Sequence, residues 1–299
     1  MVALSEAVQM NSKFFNNFKT VLLLGALTGM ILFAGHLIGG RTGVIVALGI
    51  AAVTNFVSFF FSDKIALMSM GAREVGPDHD LYQITAQLAA RANLPMPRVY
   101  VAPTDAPNAF ATGRNPKHAA VCATEGLLRV LDRNEVAGVM AHELAHVKHR
   151  DILISTVAAT IGGAITTLAY MGMWFGGGSR DDEEGGSNPI AGLLILILGP
   201  IAAGVIQMAI SRSREYNADT EGAAIAGDPM YLASALEKLH LYSRQIPIET
   251  NPAYNSMFIV EPLNALGNVG NLFATHPTLE QRLTNLIGRE TTGLYRHAA

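Results

Sequence analysis

Two histidines and a glutamate within five residues form the group in this sequence best suited to do chemistry. Residues 141–149 read AHELAHVKH, in which His142 and His146 are four residues apart. On a helix this spacing places both imidazoles on one face, where they can reach one metal ion, and it sets Glu143 beside them. The arrangement H-E-x-x-H is typical of zinc hydrolases. Until a third ligand is identified, the alternative is a surface helix with scattered histidines.

A catalytic zinc site needs three protein ligands in a tetrahedral shell, so that water can take the fourth position. Glu215 fits as the third ligand, because it lies in a predicted helix that follows an apolar run and returns the chain to the side of the motif. Asp219 follows it by four residues and shares its face, so it can accept the free ring N–H of a ligand histidine. We therefore predict that His142, His146 and Glu215 bind one Zn²⁺ per chain. Glu143 would accept a proton from the attacking water.

The composition indicates that these residues belong to a membrane protein. Of the 299 residues, 50% are hydrophobic and 15% are charged, and the mean hydropathy is +0.29. The formal charge of -3 gives no sign of a nucleic-acid partner. Cys122 is the single cysteine and cannot form an internal disulfide.

Four apolar runs are long enough, with their neighbours, to cross a bilayer: residues 21–38, 44–61, 152–175 and 190–210. Only the turn GGRTG separates the first two, which predicts a helical hairpin. The acidic, glycine-rich residues 176–186 join the last two as a flexible linker or, alternatively, a divalent-cation site.

Basic residues near the span ends predict that the motif side is cytoplasmic. On the other side lie only Arg41 and Arg180. The motif side carries Lys13, Lys19, Lys64, Arg73, Lys148, Arg150, Arg212 and Arg214.

Two polar regions form the two parts of one predicted domain. The first, residues 62–151, contains a helix over residues 78–92, strands at residues 99–101, 107–113 and 119–123, and a capping box at residues 132–135 that opens the motif helix. The second, residues 211–299, contains helices starting at residues 228–229 and 275–277, with a long loop over residues 246–273. With residues 1–61 and 152–210 holding the spans, we expect an α-helical membrane protein with four transmembrane helices and a mainly α, α+β cytoplasmic domain.

Four motifs occur in an order that resembles the HtpX-type integral-membrane zinc metalloproteases of bacteria. They are NAFATG at residues 108–113, HELAH at 142–146, SRSREYNAD at 211–219 and THPTLEQR at 275–282, arranged around two pairs of spans. The resemblance covers nearly the whole chain. It implies a gluzincin-like protease domain on the cytoplasmic face of the inner membrane. It also implies a role in quality control, with the lipid bilayer and misfolded or damaged membrane proteins as partners.

A donor to the oxyanion of the reaction is also expected near the metal. His276 is the candidate, because it precedes a predicted helix and matches the His-Pro motif of the family. Arg282 would either hold His276 or pair with a carboxylate such as Asp219. A helix-capping histidine and a surface ion pair are the alternatives.

An edge strand beside the metal would position an extended peptide through main-chain hydrogen bonds. The NAFATG stretch has the size of such a strand, and its asparagine amide can hold a peptide backbone. A purely structural strand is the alternative. The residues assigned to substrate binding are Asn108, Ala109, Phe110 and Ala111.

The predicted function is zinc-dependent cleavage of peptide bonds in misfolded or damaged membrane proteins. The rival is a non-catalytic membrane adaptor that retains a structural zinc site. An adaptor has no need of Glu143, which is not a ligand in the predicted site.

Overall fold

The computed structural model describes residues 2–162, 212–243, 259 and 277–295. The helices are α1 (Val2–Phe60), α2 (Ser62–Ser69), α3 (Asp80–Arg91), α4 (Glu125–Val130), α5 (Arg133–His149), α6 (Ile152–Gly162), α7 (Arg212–Ala226), α8 (Pro229–Ser243) and α9 (Leu279–Ile287). The strands are β1 (Arg73–Glu74), β2 (Arg98–Ala102), β3 (Ala109–Gly113) and β4 (Ala119–Thr124). Most of the predicted third span, the fourth span, the acidic linker and most of the loop over residues 246–273 lie outside the described residues.

Helix α1 is a hairpin of two arms, as the sequence predicts. It bends at Gly39 and at Gly40, whose φ of 55° and ψ of −132° suit only glycine. The arms meet where Asn55 Nδ2 donates to Thr28 Oγ1 at 2.7 Å. Closer to the bend, a Cβ on Gly43 would lie 2.0 Å from a backbone oxygen of the facing arm. The absence of side chains at this crossing lets the two arms touch.

Both arms of α1 are long and apolar enough to cross a membrane. The two windows are Asn16–Phe33 and Gly39–Phe60, and only 17% of each is buried by the rest of the protein. Large apolar side chains such as Phe33, Ile45 and Val53 are more than half exposed. A soluble domain does not leave so large an apolar surface uncovered, so these helices match the lipid-facing role that the sequence predicts.

A mixed sheet in the order β1-β2-β4-β3 supports the polar domain. β2 and β4 are parallel, whereas β1 and β3 run antiparallel to their neighbours. Along β4, Val121 faces one apolar cluster and Cys122 the other, so this central strand presents apolar side chains on both faces of the sheet. β3 lies at one edge of the sheet and faces α5.

Helix α5 runs through the centre of the domain. Its predicted capping box is confirmed, because Asp132 accepts from the backbone of Glu135 and the Glu135 side chain accepts from the backbone of Asp132. The helix packs against α3, α7, α8 and β3, which leaves most of its residues buried. A helix buried on all sides has no polar face, so its apolar pattern lacks the periodicity of a surface helix.

Several boundaries differ from those predicted. The last helix begins at Leu279 rather than at residues 275–277, because Thr278 and Gln281 form the capping box that starts it. The short elements α2, α4 and β1 were not predicted, since segments of two to eight residues carry too little periodic signal. The helix α3, the strands β2, β3 and β4 and the start of α8 agree with the prediction within two residues.

Helix α6 connects the domain to the hairpin. Ile154, Val157 and Ala158 pack with Leu23 of the first arm of α1. On the sheet side, the hydroxyl of Thr156 forms a 3.0 Å hydrogen bond with that of Thr112 in β3. The first membrane helix, α6 and the edge strand are therefore in one continuous packed arrangement.

The hairpin crossing can be tested by the substitution Gly43→Val. The added side chain would collide with the backbone of the facing arm, and such overpacking costs about 1–3 kcal/mol. We expect a lower midpoint of thermal unfolding in detergent. Gly49→Val is the matched control, because a Cβ there meets nothing within 4 Å. Equal melting of the two variants would contradict the close crossing.

Candidate metal centre

Three side chains from two helices converge beside the edge strand β3. His142 and His146 come from α5, and Glu215 comes from the first turn of α7. One ligand atom from each lies within 4.8 Å of the other two. The structure therefore brings together the three residues that the sequence predicts as metal ligands.

The spacing of these atoms fits a tetrahedral ion. Bonds of about 2.0–2.2 Å at tetrahedral angles place the ligand atoms about 3.4 Å apart. The two histidine Nε2 atoms are separated by 3.1 Å. One Glu215 oxygen lies 3.7 Å from Nε2 of His142, and the other lies 3.6 Å from Nε2 of His146. These separations match the shell of a zinc ion.

The ring nitrogens that face away from this centre are held by carboxylates. His142 Nδ1 lies 2.9 Å from Asp219 Oδ1, and His146 Nδ1 lies 3.3 Å from Asp151 Oδ2. A carboxylate accepts the ring N–H, which leaves each Nε2 with a lone pair directed at the centre. Two lone pairs and the Glu215 carboxylate then share one small space. A cation satisfies all three, and this donor set of nitrogen and oxygen suits zinc.

Arg282 holds the carboxylate behind His142. Its Nε and Nη2 donate to the two oxygens of Asp219 at 2.9 and 2.6 Å, and both side chains are buried. Burial opposes the charged form of Asp219, but the guanidinium overcomes this effect and lowers its pKa. Of the two partners suggested by the sequence for Arg282, the structure shows the carboxylate. His276, the other, lies outside the described residues.

Glu143 is buried beside the ligands. Burial raises its pKa to about 7, and the nearby Glu215 charge adds to this, while the N–H of Ala111 in β3 donates to its carboxylate. A carboxylate with a pKa close to neutral can accept a proton and later release it. Position and basicity both suit Glu143 to act as a general base.

The two ligand histidines differ in basicity in the metal-free chain. Burial lowers the pKa of His142 to about 4. Burial also acts against a charge on His146, but the hydrogen bond that its Nδ1–H donates to Asp151 and the charge of Glu215 overcome this effect and raise the pKa of His146 to about 9. A proton on His146 therefore competes with a cation for this site.

The predicted substrate strand lies at the sheet edge next to Glu143. Its side chains are buried, so the strand is not exposed as the sequence suggested, although it lies at one edge of the sheet. Asn108 Oδ1 accepts the N–H of Ala109 and that of Ile259. The Ile259 N–H also lies 3.3 Å from the carbonyl of Ala109. That carbonyl therefore points away from β4 and accepts main-chain donors. The Phe110 side chain lies on the side of the sheet away from α5, where it packs with residues of α2 and α6.

Sequence reasoning missed Asp151, Asn16 and Gly222. Asp151 follows the motif by five residues and has no helical spacing to it. Gly222 matters because a Cβ there would lie 2.8 Å from His142 Cα, so α7 approaches α5 closely at the first ligand. A glycine seven residues after Glu215, two helical turns along the same face, is the signal that could have indicated this contact.

Comparison with known proteins identifies similar chains. The model of the family described as Peptidase family M48 matches residues 76–290. A "Protease HtpX homolog" of Desulforapulum autotrophicum is 55% identical over 276 residues, covering 91% of this chain and 89% of that protein. A protein of the same name from Burkholderia cenocepacia is 52% identical over 286 residues, covering 94% of this chain and 99% of that protein.

Among solved structures, the crystal structure of S. mikatae Ste24p aligns with a TM-score of 0.47 at 18% sequence identity. The alignment covers 93% of this chain and 67% of that one. A similarity at this level supports no inference about the site.

The contact at Gly222 can be tested by Gly222→Ala. The methyl group would push α7 from α5 at His142, at a cost of about 1–3 kcal/mol that outweighs the helix propensity gained by alanine, about 1 kcal/mol. We expect a lower unfolding temperature and weaker zinc binding, measured by chelator competition. Ala224→Leu on the exposed face of α7 is the control and should change neither. Unchanged zinc binding in Gly222→Ala would show that this contact does not set the ligand geometry.

Proposed function

Since this chain belongs to peptidase family M48, we propose that it is a membrane-bound zinc endopeptidase whose metal is held by His142, His146 and Glu215. One observation carries the proposal: two imidazole nitrogens and a carboxylate converge within 4.8 Å beside a buried glutamate that is not a ligand. A structural zinc site has no use for that fourth group.

Zinc, when bound, acts as a Lewis acid that polarises the peptide carbonyl and acidifies water. Glu143 accepts the proton of the attacking water and delivers it to the leaving amine. Asp219 and Arg282 keep the His142 ring in its ligand tautomer. His276 remains our candidate for stabilising the oxyanion, on the basis of the sequence alone.

An extended substrate would pair with the outer edge of β3, where the Ile259 N–H bonds to the Ala109 carbonyl in this structure. Successive residues of an edge strand direct their main-chain groups alternately towards the sheet and away from it. Asn108 bonds to β4 through its main chain, so the main-chain groups of Ala109 and Ala111 face outward. The outward N–H of Ala111 meets Glu143. A peptide added along this edge would thus lie beside the general base, with Asn108, Ala109, Phe110 and Ala111 as the residues that receive it.

The proposed location is the inner membrane of a bacterial cell, with four spans and the site on the cytoplasmic side. The hairpin supplies two candidate spans, and α6 starts a further apolar run at Ile152. The domain would then combine residues 62–151 and 211–299. Its substrates would be misfolded or damaged membrane proteins, consistent with a quality-control role for a protease attached to the bilayer.

Catalysis is tested by zinc content and casein cleavage of the detergent-solubilised protein and its Glu143→Gln variant. Loss of a general base slows such reactions by about 10²–10⁴-fold, while the ligands remain. We expect about one zinc in both proteins and cleavage by the wild type alone. Glu125→Gln on the surface is the matched control and should cleave normally. A wild type that holds zinc but cleaves no unfolded protein would favour the adaptor.

Orientation is tested by thiol labelling in whole cells. Cys122 is buried, so background labelling is low in the folded protein. We expect Ser179→Cys, in the acidic linker, to react with an impermeant reagent from outside the inner membrane. Lys117→Cys, on the exposed surface of the domain, should react only after permeabilisation. The reverse pattern, or labelling of both from the cytoplasm alone, would overturn the four-span topology.

A further inference from the structure

A second carboxylate occupies the same position behind His146 that Asp219 occupies behind His142. Asp151 is 3% exposed, and its Oδ2 lies 3.3 Å from His146 Nδ1. Sequence spacing assigns Asp219 to a ligand histidine but gives Asp151 no role. Each imidazole of the site thus has its outer nitrogen against a buried aspartate.

The end of α5 places Asp151 there. Arg150 adopts the left-handed conformation with φ of 60° and ψ of 34°, and its N–H donates to the Val147 carbonyl. The N–H of Asp151 donates to the carbonyl of His146 at 3.0 Å. These two bonds form a Schellman motif, which turns the chain back towards the last helical turn. A non-glycine residue in this conformation costs about 1–2 kcal/mol, so the surrounding structure maintains the reversal.

The first membrane helix holds the same aspartate. Asn16, buried at the start of that span, donates from Nδ2 to Asp151 Oδ1 at 2.7 Å. Arg214 Nη1 lies 3.3 Å from Asn16 Oδ1, and a guanidinium can only donate. This contact fixes the amide with its oxygen towards Arg214 and its NH₂ group towards Asp151. Arg214 directly precedes Glu215, so Asn16 links the two segments that carry the three ligands.

We infer that Asp151 is a positioning residue, which orients the ring of His146 for metal binding, and that Asn16 of the first membrane helix holds Asp151 in that position. The inference rests on the proposed metal site but extends it to the bilayer-facing hairpin. An outer partner of this kind fixes the histidine tautomer and supports metal affinity. The metal centre is then coupled to the first span through two side chains.

The test uses the full-length protein in detergent with Asp151→Asn, Asp151→Ala and Asn16→Leu. In Asp151→Asn, either orientation of the amide sets its NH₂ group against a donor, His146 Nδ1–H or Asn16 Nδ2. With the NH₂ group towards His146, the ring is driven to the tautomer that carries a proton on Nε2 and cannot bind a metal through that nitrogen. With the NH₂ group towards Asn16, two donors face each other and Asn16 no longer holds the side chain. Asp105→Asn and Asn17→Leu are the matched controls, because both residues are on the surface.

The readouts are the zinc dissociation constant from chelator competition, the visible spectrum of the Co²⁺-substituted protein, and thermal unfolding without metal. We expect both Asp151 variants to weaken zinc binding by about 10–100-fold. Asn16→Leu should weaken it less. All three should alter the Co²⁺ spectrum, and the controls should match the wild type.

A role confined to packing predicts a different result. All three variants would then unfold at lower temperature without metal, while their zinc affinity and Co²⁺ spectrum stayed normal, and the inference would be wrong. A normal affinity in Asn16→Leu alone would remove the link to the membrane helix. Failure of the proposed function is recognised separately, because in that case the wild type itself takes up no zinc or cleaves nothing.

Discussion

Two imidazole nitrogens and a carboxylate held within 4.8 Å of one another need a proton or a metal ion among them, because their lone pairs and negative charge would otherwise repel. The low polarity of a buried site strengthens this repulsion, so the surrounding structure has to hold the three groups in place. It does so through hydrogen bonds to the ring nitrogen of each histidine that faces away from the centre. Asp219 and Asp151 accept the ring N–H groups, and Arg282 and Asn16 in turn fix the aspartates. The helices themselves are pressed together where Gly222 meets the backbone of His142.

This arrangement explains how one site forms from two distant parts of the chain. His142 and His146 lie on the helix that precedes α6, and Glu215 lies on a helix that follows an apolar run of the sequence. α6 packs on the first arm of α1 and bonds to β3. The edge strand, the ligand helix and the hairpin are consequently neighbours.

The sequence predicts the parts of the site that depend on regular spacing. The pair His142 and His146 follows from one helical turn, and Asp219 follows from its distance to Glu215. The hairpin follows from two apolar runs around a glycine turn, and β4 from a run of small apolar residues. Asp151 could not be found in this way, because its placement depends on a left-handed residue at Arg150, a conformation that arginine rarely adopts. Asn16 lies 135 residues from its partner, and no local pattern connects them.

The supports behind the two histidines are chemically unequal. Arg282 donates two hydrogen bonds to Asp219, whereas Asp151 accepts a hydrogen bond from the neutral amide of Asn16 and interacts with the Arg214 guanidinium through its charge alone. The directions of the pKa values follow this difference: burial lowers that of His142 to about 4, and Asp151 together with Glu215 overcomes burial and raises that of His146 to about 9. His142 is thus neutral and ready to bind in the empty site. His146 has to release a proton before its Nε2 can bind a metal. The aspartate held by the membrane helix therefore acts on the histidine that has to lose a proton when a metal binds.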